Sequence, residues 1–148
     1  MHKIIATGLG IGYIKKGGGT VASFFTGLAL GLYAPASAII FLIITVAITA
    51  LGVWSSNVVE QYWGKDSYRV VIDEIAGMCV SLLFIPISWT TVVTAFVLFR
   101  FFDIVKPLGI RKAEQLPGGW GVMADDVLAG LYSNVMLQLL SVALTNYS

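Results

Sequence analysis

The chain has 148 residues, is 57% hydrophobic and only 11% charged, and has a mean hydropathy of +0.87. Soluble domains contain about 25% charged residues, so a soluble fold could not hide this much apolar surface, and the composition favours an integral membrane protein of one domain, residues 1–148. The net charge of +1 creates no field that would attract nucleic acid, which argues against that class of partner.

The apolar segments predict an all-α fold, an integral membrane helical bundle with about five transmembrane helices. A short helix or re-entrant segment at the membrane interface is expected before them, over residues 2–14, because glycines interrupt this stretch. A full span needs about 20 residues, so the first and third segments are short and should be tilted or partly sunk in the bundle. In chain order the five segments cover residues 21–34, 36–54, 70–86, 89–103 and 122–144.

All 17 charged residues fall in three short windows, residues 3–16, 60–74 and 100–126. A chain that crosses a membrane in hairpins returns repeatedly to one side, so these windows should meet at one end of the bundle. The proline-containing turns at 34–36 and 86–89 carry no charge and should lie at the other end. The excess of Lys and Arg in short loops places the charged end in the cytoplasm, and five crossings then leave the C-terminus outside.

Two features of the apolar segments have mainly structural interpretations. Ser23, Gly27 and Gly31 recur every four residues, which is typical of close helix packing within a bundle and would also suit a homodimer interface. Cys79 is the one cysteine and lies in an apolar run, so we expect a small buried side chain rather than a disulfide.

The first candidate site is the loop Gly17-Gly18-Gly19-Thr20, which precedes an apolar helix. Successive glycines let backbone N–H groups converge on an anion, and Thr20 is a good N-cap whose hydroxyl could also reach a phosphate. A flexible hinge with a capping threonine explains the same four residues. The motif alone leaves both interpretations open, and it is not a P-loop because no Gly-Lys-Ser/Thr follows.

Acidic residues inside apolar runs are the second candidate. Asp73 and Glu74 follow Arg69, which is four residues before Asp73 and can meet it on one helix face. Carboxylates also favour helix starts because of the helix dipole, but a carboxylate near hydrocarbon is costly and usually functional. Asp125 and Asp126 lie near the start of the last segment. The same two explanations, stabilisation at a helix start and a functional role, apply to them.

The fourth segment ends in alternating charges, Arg100, Asp103 and Lys106, spaced every three residues. Snorkelling of long side chains towards the interface is one explanation. The mixture of cations and a carboxylate also suits a site that holds metal and phosphate together. Carboxylate oxygens suit Mg²⁺, and Arg and Lys neutralise phosphate oxygens, so the inventory of acidic and basic residues indicates metal-assisted phosphoryl chemistry.

Several phosphatase mechanisms are excluded by residue type. His2 is the one histidine, which excludes a multi-histidine lipid phosphatase. Residue 85, six positions after Cys79, is Ile85, so the Cys-x5-Arg loop of cysteine phosphatases is absent. No Asp-x-Asp-x-Thr stretch exists for an aspartyl-phosphate enzyme.

Five motifs in order resemble the bacterial phosphatidylglycerophosphatase A family over nearly the whole chain. They are Gly8 to Tyr13, Gly17 to Thr20, Val70 to Gly77, Phe99 to Pro107 and Gly121 to Gly130. The resemblance implies a helical, Mg²⁺-dependent enzyme of the bacterial inner membrane that removes the terminal phosphate of phosphatidylglycerophosphate, a membrane phospholipid. One departure is that the family usually has Ala-Pro-Gly-Thr where this chain has three glycines and Thr20.

The resemblance implies an acidic site of Asp73, Glu74, Asp103, Asp125 and Asp126, with phosphate contacts at Thr20, Arg100 and Lys106. Together with the charge chemistry above, which adds Arg69, it leads to the following expected roles. Asp73, Asp125 and Asp126 are the expected metal ligands. Glu74 or Asp103 is the candidate catalytic base. The expected phosphate contacts are Thr20, Arg69, Arg100 and Lys106.

Three other functions fit parts of the sequence. A small ion- or proton-coupled transporter would also use buried carboxylates, but it needs polar groups near mid-bilayer or on both faces. A non-catalytic subunit could bind anionic lipid headgroups. A phosphatase of a related lipid phosphate would have the same motifs.

Overall fold

The computed structural model describes residues 1–65, 67–107 and 109–146, and within these ranges it contains helices and no strand. The all-helical class predicted from the sequence is therefore confirmed. In the same ranges, one 3-10 turn, Ile11–Tyr13, lies between the first two helices. The helices are α1 (His2–Ala6), α2 (Gly18–Tyr33), α3 (Ala38–Trp63), α4 (Ile72–Ser81), α5 (Trp89–Val105), α6 (Ile110–Ala113) and α7 (Gly119–Asn146).

Within the described ranges, two helices are long and apolar enough to cross a membrane, namely α3 and residues Gly119–Ala143 of α7. The core helix of a soluble protein would be mostly buried, but only 28% of the apolar window of α3 and 33% of that of α7 is buried. This exposure favours association with a membrane. The sequence predicted about five transmembrane helices. By length and composition, the structure supports two of these as membrane spans.

The other three predicted spans are shorter helices. α2 has 16 residues, α5 has 17 and α4 has 10. At a rise of 1.5 Å per residue α4 is about 15 Å long, half of the hydrocarbon thickness of about 30 Å. α4 instead lies inside the bundle, in contact with α2, α3, α5 and α7, and its Ala76, Met78 and Cys79 are buried.

Several helix ends differ from those predicted, because the end of an apolar run is not the end of a helix. α3 continues to Trp63, nine residues past the predicted end at residue 54, and buries Ser56 and Val59 in its added turns. α2 begins at Gly18, so its N-cap is Gly17 rather than Thr20. The φ of Gly17 is 81°, a left-handed conformation that glycine adopts without a steric penalty.

Glycines let α4 and α7 cross closely. A Cβ at Gly130 would collide with the backbone oxygen of Gly77, and a Cβ at Gly77 would lie 2.7 Å from the backbone oxygen of Asp126. The two helices therefore meet backbone to backbone, which brings the start of α4 beside the acidic part of α7.

A buried amide holds the other end of α4. The Asn134 Nδ2 group of α7 donates to the backbone oxygens of Val80, Ser81 and Leu83, at 3.2, 3.2 and 2.8 Å. These carbonyls lie where α4 ends, and among the described residues Val80 alone of the three also accepts a backbone bond, from the Leu83 N–H at 3.3 Å. The short helix can thus end inside an apolar bundle.

The small-residue stripe of α2 packs within the chain. Ser23 is fully buried. A Cβ at Gly27 would lie 3.1 Å from Met78 Cε, and one at Gly31 would lie 2.7 Å from the ring of Trp89. The stripe is therefore occupied by α4 and by the start of α5, as close packing within the bundle requires, while homodimerisation stays a prediction.

The two uncharged turns lie at the same end of the bundle. Ala34, Pro35 and Ala36 line a cavity of about 490 Å³ together with Ile85 and Pro86. The charged residues collect around the other end of α2, where Lys15 and Thr20 line a polar cavity. The structure therefore has the two unlike ends that the charge pattern predicted.

Candidate active site

A polar cavity of about 280 Å³ lies at the end of the bundle where α2, α4 and α7 begin and α5 ends. All three charged windows contribute to it, from Lys15 in the first to Asp126 in the third. Its lining is Ile14, Lys15, Gly17, Gly18, Gly19, Thr20, Ser67, Tyr68, Val70, Asp73, Glu74, Arg100, Asp103, Lys106, Asp125 and Asp126. The structure thus brings together every site residue predicted from the sequence except Arg69.

The carboxylates form two groups that share one member. Ligand oxygens of Asp73, Glu74 and Asp126 lie within 4.8 Å of one another, and so do those of Asp103, Asp125 and Asp126. These oxygens could hold a metal ion. Carboxylate oxygens are hard ligands that suit Mg²⁺ and similar divalent cations.

Unpaired buried oxygens show that the residues fit a cation. Asp125 and Asp126 are only 7% and 3% exposed, and both Glu74 Oε2 and Asp125 Oδ1 are buried atoms without a hydrogen-bond partner. Buried polar atoms are nearly always paired, and a buried charge without compensation is costly. A bound cation would supply the missing partner.

Two basic side chains from the end of α5 point into the acidic cluster. Arg100 Nη1 lies 2.6 Å from Asp103 Oδ2, without hydrogen-bond geometry, and Arg100 Nε has no hydrogen-bond partner. Lys106 Nζ donates to Asp125 Oδ2 at 2.7 Å and also to Glu114 Oε1. Arg100 therefore keeps N–H donors that could bind a phosphate.

Lys106 remains charged despite its position. Partial burial by itself would lower the pKa of its ammonium group, but the hydrogen bonds and charges of Asp125 and Glu114 outweigh this effect and raise the pKa above its ordinary value. Lys106 is the C-cap of α5, with a left-handed φ of 49°. Because Pro107 follows, the helix ends there and the side chain turns towards α7.

The start of α2 adds backbone donors. The N–H of Val21 is the first to bond within the helix, to the oxygen of Gly17 at 2.9 Å, so the N–H groups of Gly18, Gly19 and Thr20 belong to the unpaired first turn. The helix dipole also favours an anion there. This arrangement supports the anion-binding interpretation of the glycine loop over a simple hinge.

The Glu74 side chain leaves no space for a side chain at Gly19. A Cβ at Gly19 would collide with the Glu74 carboxylate. The first turns of α2 and α4 therefore touch at the cavity, with the carboxylate lying against bare backbone.

Two predicted site residues, Arg69 and Asp125, lie in surroundings that differ from those expected. The Arg69 guanidinium carbon lies 5.5 Å from the ring centre of Trp63 and 5.4 Å from that of Tyr68, so Arg69 stacks on aromatic rings beside the cavity. Asp125 lies in the second turn of α7, six residues after its start, because the helix starts at Gly119 rather than near residue 122. The helix dipole, which acts within the first turn, is therefore a weak explanation for this carboxylate.

Sequence reasoning missed two charged side chains at the site. Lys15 lines the cavity, and Glu114 holds Lys106. Glu114 lies eight residues after Lys106, across the short helix α6, and no helical spacing connects the two. Only the sign of their charges could have suggested the pair.

These features define a class of protein. A helical bundle with exposed apolar helices carries, at one end, a buried carboxylate cluster next to Arg, Lys and a helix N-terminus. Such a donor set suits a site for a divalent cation and a phosphate group, and the apolar surroundings suit a lipid that carries that phosphate.

Comparison with known proteins names the family. The model of the family PgpA, phosphatidylglycerophosphatase A, matches residues 4–141, and the chain belongs to this family. It is therefore a phosphatase, which favours the enzyme over the transporter and the non-catalytic subunit considered above.

Three relatives agree with this assignment to differing extents. "Putative phosphatidylinositol-3-phosphatase" of Bacteroides thetaiotaomicron is 42% identical, over 90% of this chain and 89% of its own length. Phosphatidylglycerophosphatase A of Haemophilus influenzae is 39% identical, over 90% and 85%. Phosphatidylglycerophosphatase A of Escherichia coli is 40% identical, over 46% and 41%. No solved structure matches the chain.

Proposed function

We propose that the chain hydrolyses the terminal phosphate of phosphatidylglycerophosphate to give phosphatidylglycerol, and that it depends on Mg²⁺. The observation that carries this proposal is the shared cavity of Asp73, Asp126, Arg100, Lys106 and the first turn of α2. It combines oxygen ligands for a hard cation with cationic and N–H donors for a phosphate. The family and the printed names of two relatives supply the substrate.

Each group in the cavity has a role in this proposal. Asp73, Asp125 and Asp126 would hold Mg²⁺, and Glu74 or Asp103 would orient a water molecule and accept its proton. Arg100, Lys106 and the N–H groups around Thr20 bind the phosphate oxygens. When bound, Mg²⁺ would neutralise charge on the phosphoryl group and assist in-line displacement.

The proposed location is the bacterial inner membrane, crossed more than once, with the cavity at the cytoplasmic side. Support comes from the exposed apolar side chains of α2, α3, α5 and α7, among them Phe25, Ile43, Val97 and Leu139. Patches of this kind mark contact with lipid or protein. Lys15, Lys65, Arg111 and Lys112 lie in loops or the short helix α6 at the charged end, as the positive-inside tendency requires.

A phosphatase of a related lipid phosphate is the second candidate. The printed name of the Bacteroides thetaiotaomicron relative, with 42% identity, favours it. Both substrates present a phosphate monoester at a membrane surface, so the same cavity chemistry serves either.

Phosphate release from lipid tests both candidates. Purified protein in detergent micelles should release inorganic phosphate from phosphatidylglycerophosphate in the presence of Mg²⁺ and lose this activity with EDTA. Phosphatidylinositol 3-phosphate should be hydrolysed more slowly. Preference for the inositol lipid would select the second candidate, and no release from either lipid would reject the proposal.

A pair of variants separates phosphate binding from metal binding. Lys106→Gln should raise KM about tenfold, because a charge-assisted contact to phosphate is lost, while the Mg²⁺ concentration for half-maximal activity does not rise. Asp125→Asn should raise that Mg²⁺ concentration. Mg²⁺ titrations at several substrate concentrations measure both effects. A marked rise in Mg²⁺ requirement for Lys106→Gln would contradict the role given to Lys106.

Membrane orientation is predicted from the two unlike ends. In a Cys79→Ala background, cysteines at Lys15, Lys65 and Arg111 should react with an impermeant thiol reagent only from the cytoplasmic side. A cysteine at Ala36, an exposed residue of the uncharged turn, should react only from outside. Ser148, where outside labelling is also expected, is not among the described residues. Labelling of Lys65 and Arg111 from opposite sides would disprove this topology.

A further inference from the structure

The two acidic groups overlap at a single residue, Asp126. It is the one residue that belongs both to the group with Asp73 and Glu74 and to the group with Asp103 and Asp125. Its side chain is 3% exposed and a carboxylate has two oxygens, so it can serve both groups. Sites with two metal ions use shared carboxylates of this kind to hold the ions about 3.5–4 Å apart.

Each group contains a buried oxygen that has no partner. Glu74 Oε2 belongs to the first group and Asp125 Oδ1 to the second, and neither atom accepts a hydrogen bond. Asp125 is 7% exposed, so bulk water does not compensate this oxygen. Unpaired buried acceptors are rare in proteins, and here one occurs in each of the two groups.

The two groups differ in their ionic partners. Asp103 and Asp125 are paired with Arg100 and Lys106, whereas none of the ion pairs between described residues involves Asp73, Glu74 or Asp126. The carboxylates of the first group therefore have no ion-pair partner among the described residues and could bind a cation directly. Those of the second group are partly neutralised by Arg100 and Lys106.

We infer that Asp126 bridges two divalent cations, and that the second cation binds together with the phosphate. Phosphate oxygens would draw Arg100 and Lys106 away from Asp103 and Asp125, which frees these carboxylates for the second ion. The inference rests on the proposed Mg²⁺-dependent phosphatase function.

Charge balance agrees with two ions. The cavity lining supplies five carboxylates and three cations, the latter being Lys15, Arg100 and Lys106. Glu114, which pairs with Lys106, adds a sixth carboxylate, so the formal excess is three negative charges. A phosphate dianion would bring the excess to five. Two divalent cations reduce that excess to one, whereas a single divalent cation leaves three.

Binding of Mn²⁺ tests the inference without turnover. Equilibrium dialysis of the purified protein in detergent should give one tightly bound Mn²⁺ per chain, and two in the presence of inorganic phosphate. The electron paramagnetic resonance spectrum should show isolated Mn²⁺ without phosphate and a spin-coupled pair with it. Two equally tight ions without phosphate, or a single ion at saturation with phosphate, would overturn the inference.

Variants locate the two ions. Asp125→Asn should keep the first Mn²⁺ and lose the phosphate-dependent second one, whereas Asp126→Asn should abolish spin coupling. Glu60→Gln, a change of a carboxylate outside the cavity lining, should keep both ions and their coupling. Retention of the coupled pair in Asp125→Asn would overturn the assignment, and circular dichroism verifies that each variant is folded.

The same measurements separate this inference from the proposed function. A chain that hydrolyses the lipid but binds one Mn²⁺ with phosphate rejects the two-ion site alone. A chain that binds the coupled pair but releases no phosphate from lipid rejects the enzymatic proposal alone.

Discussion

Replacing Asp73, Asp125 or Asp126 by asparagine should each reduce kcat at least about a hundredfold, equivalent to roughly 2.7 kcal/mol of transition-state stabilisation. Asparagine keeps the size of the side chain and loses its charge, so the packing of α4 and α7 should survive. Asp126→Asn is expected to have the largest effect because Asp126 belongs to both carboxylate groups. Steady-state phosphate release at saturating Mg²⁺ measures the loss.

Glu60→Gln is the matched control for these changes. Glu60 is an acidic residue of α3 outside the cavity lining, and its replacement should leave activity within about twofold of the unchanged chain. Near-normal turnover in all three aspartate variants would show that the metal ligands are assigned wrongly. Equal losses in Glu60→Gln would indicate a general effect of charge at this end of the bundle.

Gly19→Ala should reduce kcat/KM at least about tenfold, or roughly 1.4 kcal/mol, although it adds one methyl group. The new Cβ would collide with the Glu74 carboxylate, so Glu74 or the first turn of α2 must move. Either shift displaces a group of the proposed site. Activity, together with thermal unfolding followed by circular dichroism, separates a local displacement from a loss of the fold.

Gly27→Ala, on the same helix, is the control for Gly19→Ala. Its Cβ would meet Met78 Cε at 3.1 Å and Val92 Cγ1 at 3.3 Å, and the end of a methionine side chain can yield. Neither neighbour lines the polar cavity, so activity should change less than twofold. If Gly19→Ala were as active as Gly27→Ala, close contact between α2 and Glu74 would not matter for the reaction.

The helical class and the gathering of charge at one end could be predicted because both follow from local composition. Hydrophobic residues without strand periodicity predict helices, and charges confined to the ends of apolar segments must meet where those segments meet. For this reason Asp73, Glu74, Asp103, Asp125 and Asp126 could be assigned to one site, and the structure places all five around one cavity.

Helix lengths could not be predicted in this way. The number of spans was inferred from apolar runs, but the third run is broken after Ser81, where Phe84 has a positive φ of 60° and Asn134 pairs with the end of α4. That hydrogen-bonded end depends on a residue more than fifty positions away, which no local pattern contains. The run therefore contains a short internal helix rather than a span.

The sequence by itself determined the family, the helical class and the set of acidic and basic residues that form the candidate site, because these depend on residue type and order. Only the tertiary structure decided which of these side chains contact one another. Lys106 pairs with Asp125 and Glu114, Arg69 stacks on Trp63 and Tyr68 instead of lining the cavity, and Asp126 joins two carboxylate groups. These contacts depend on how closely α4 and α7 approach at their glycines and on where α5 ends, and both are set by packing between helices that lie far apart along the chain.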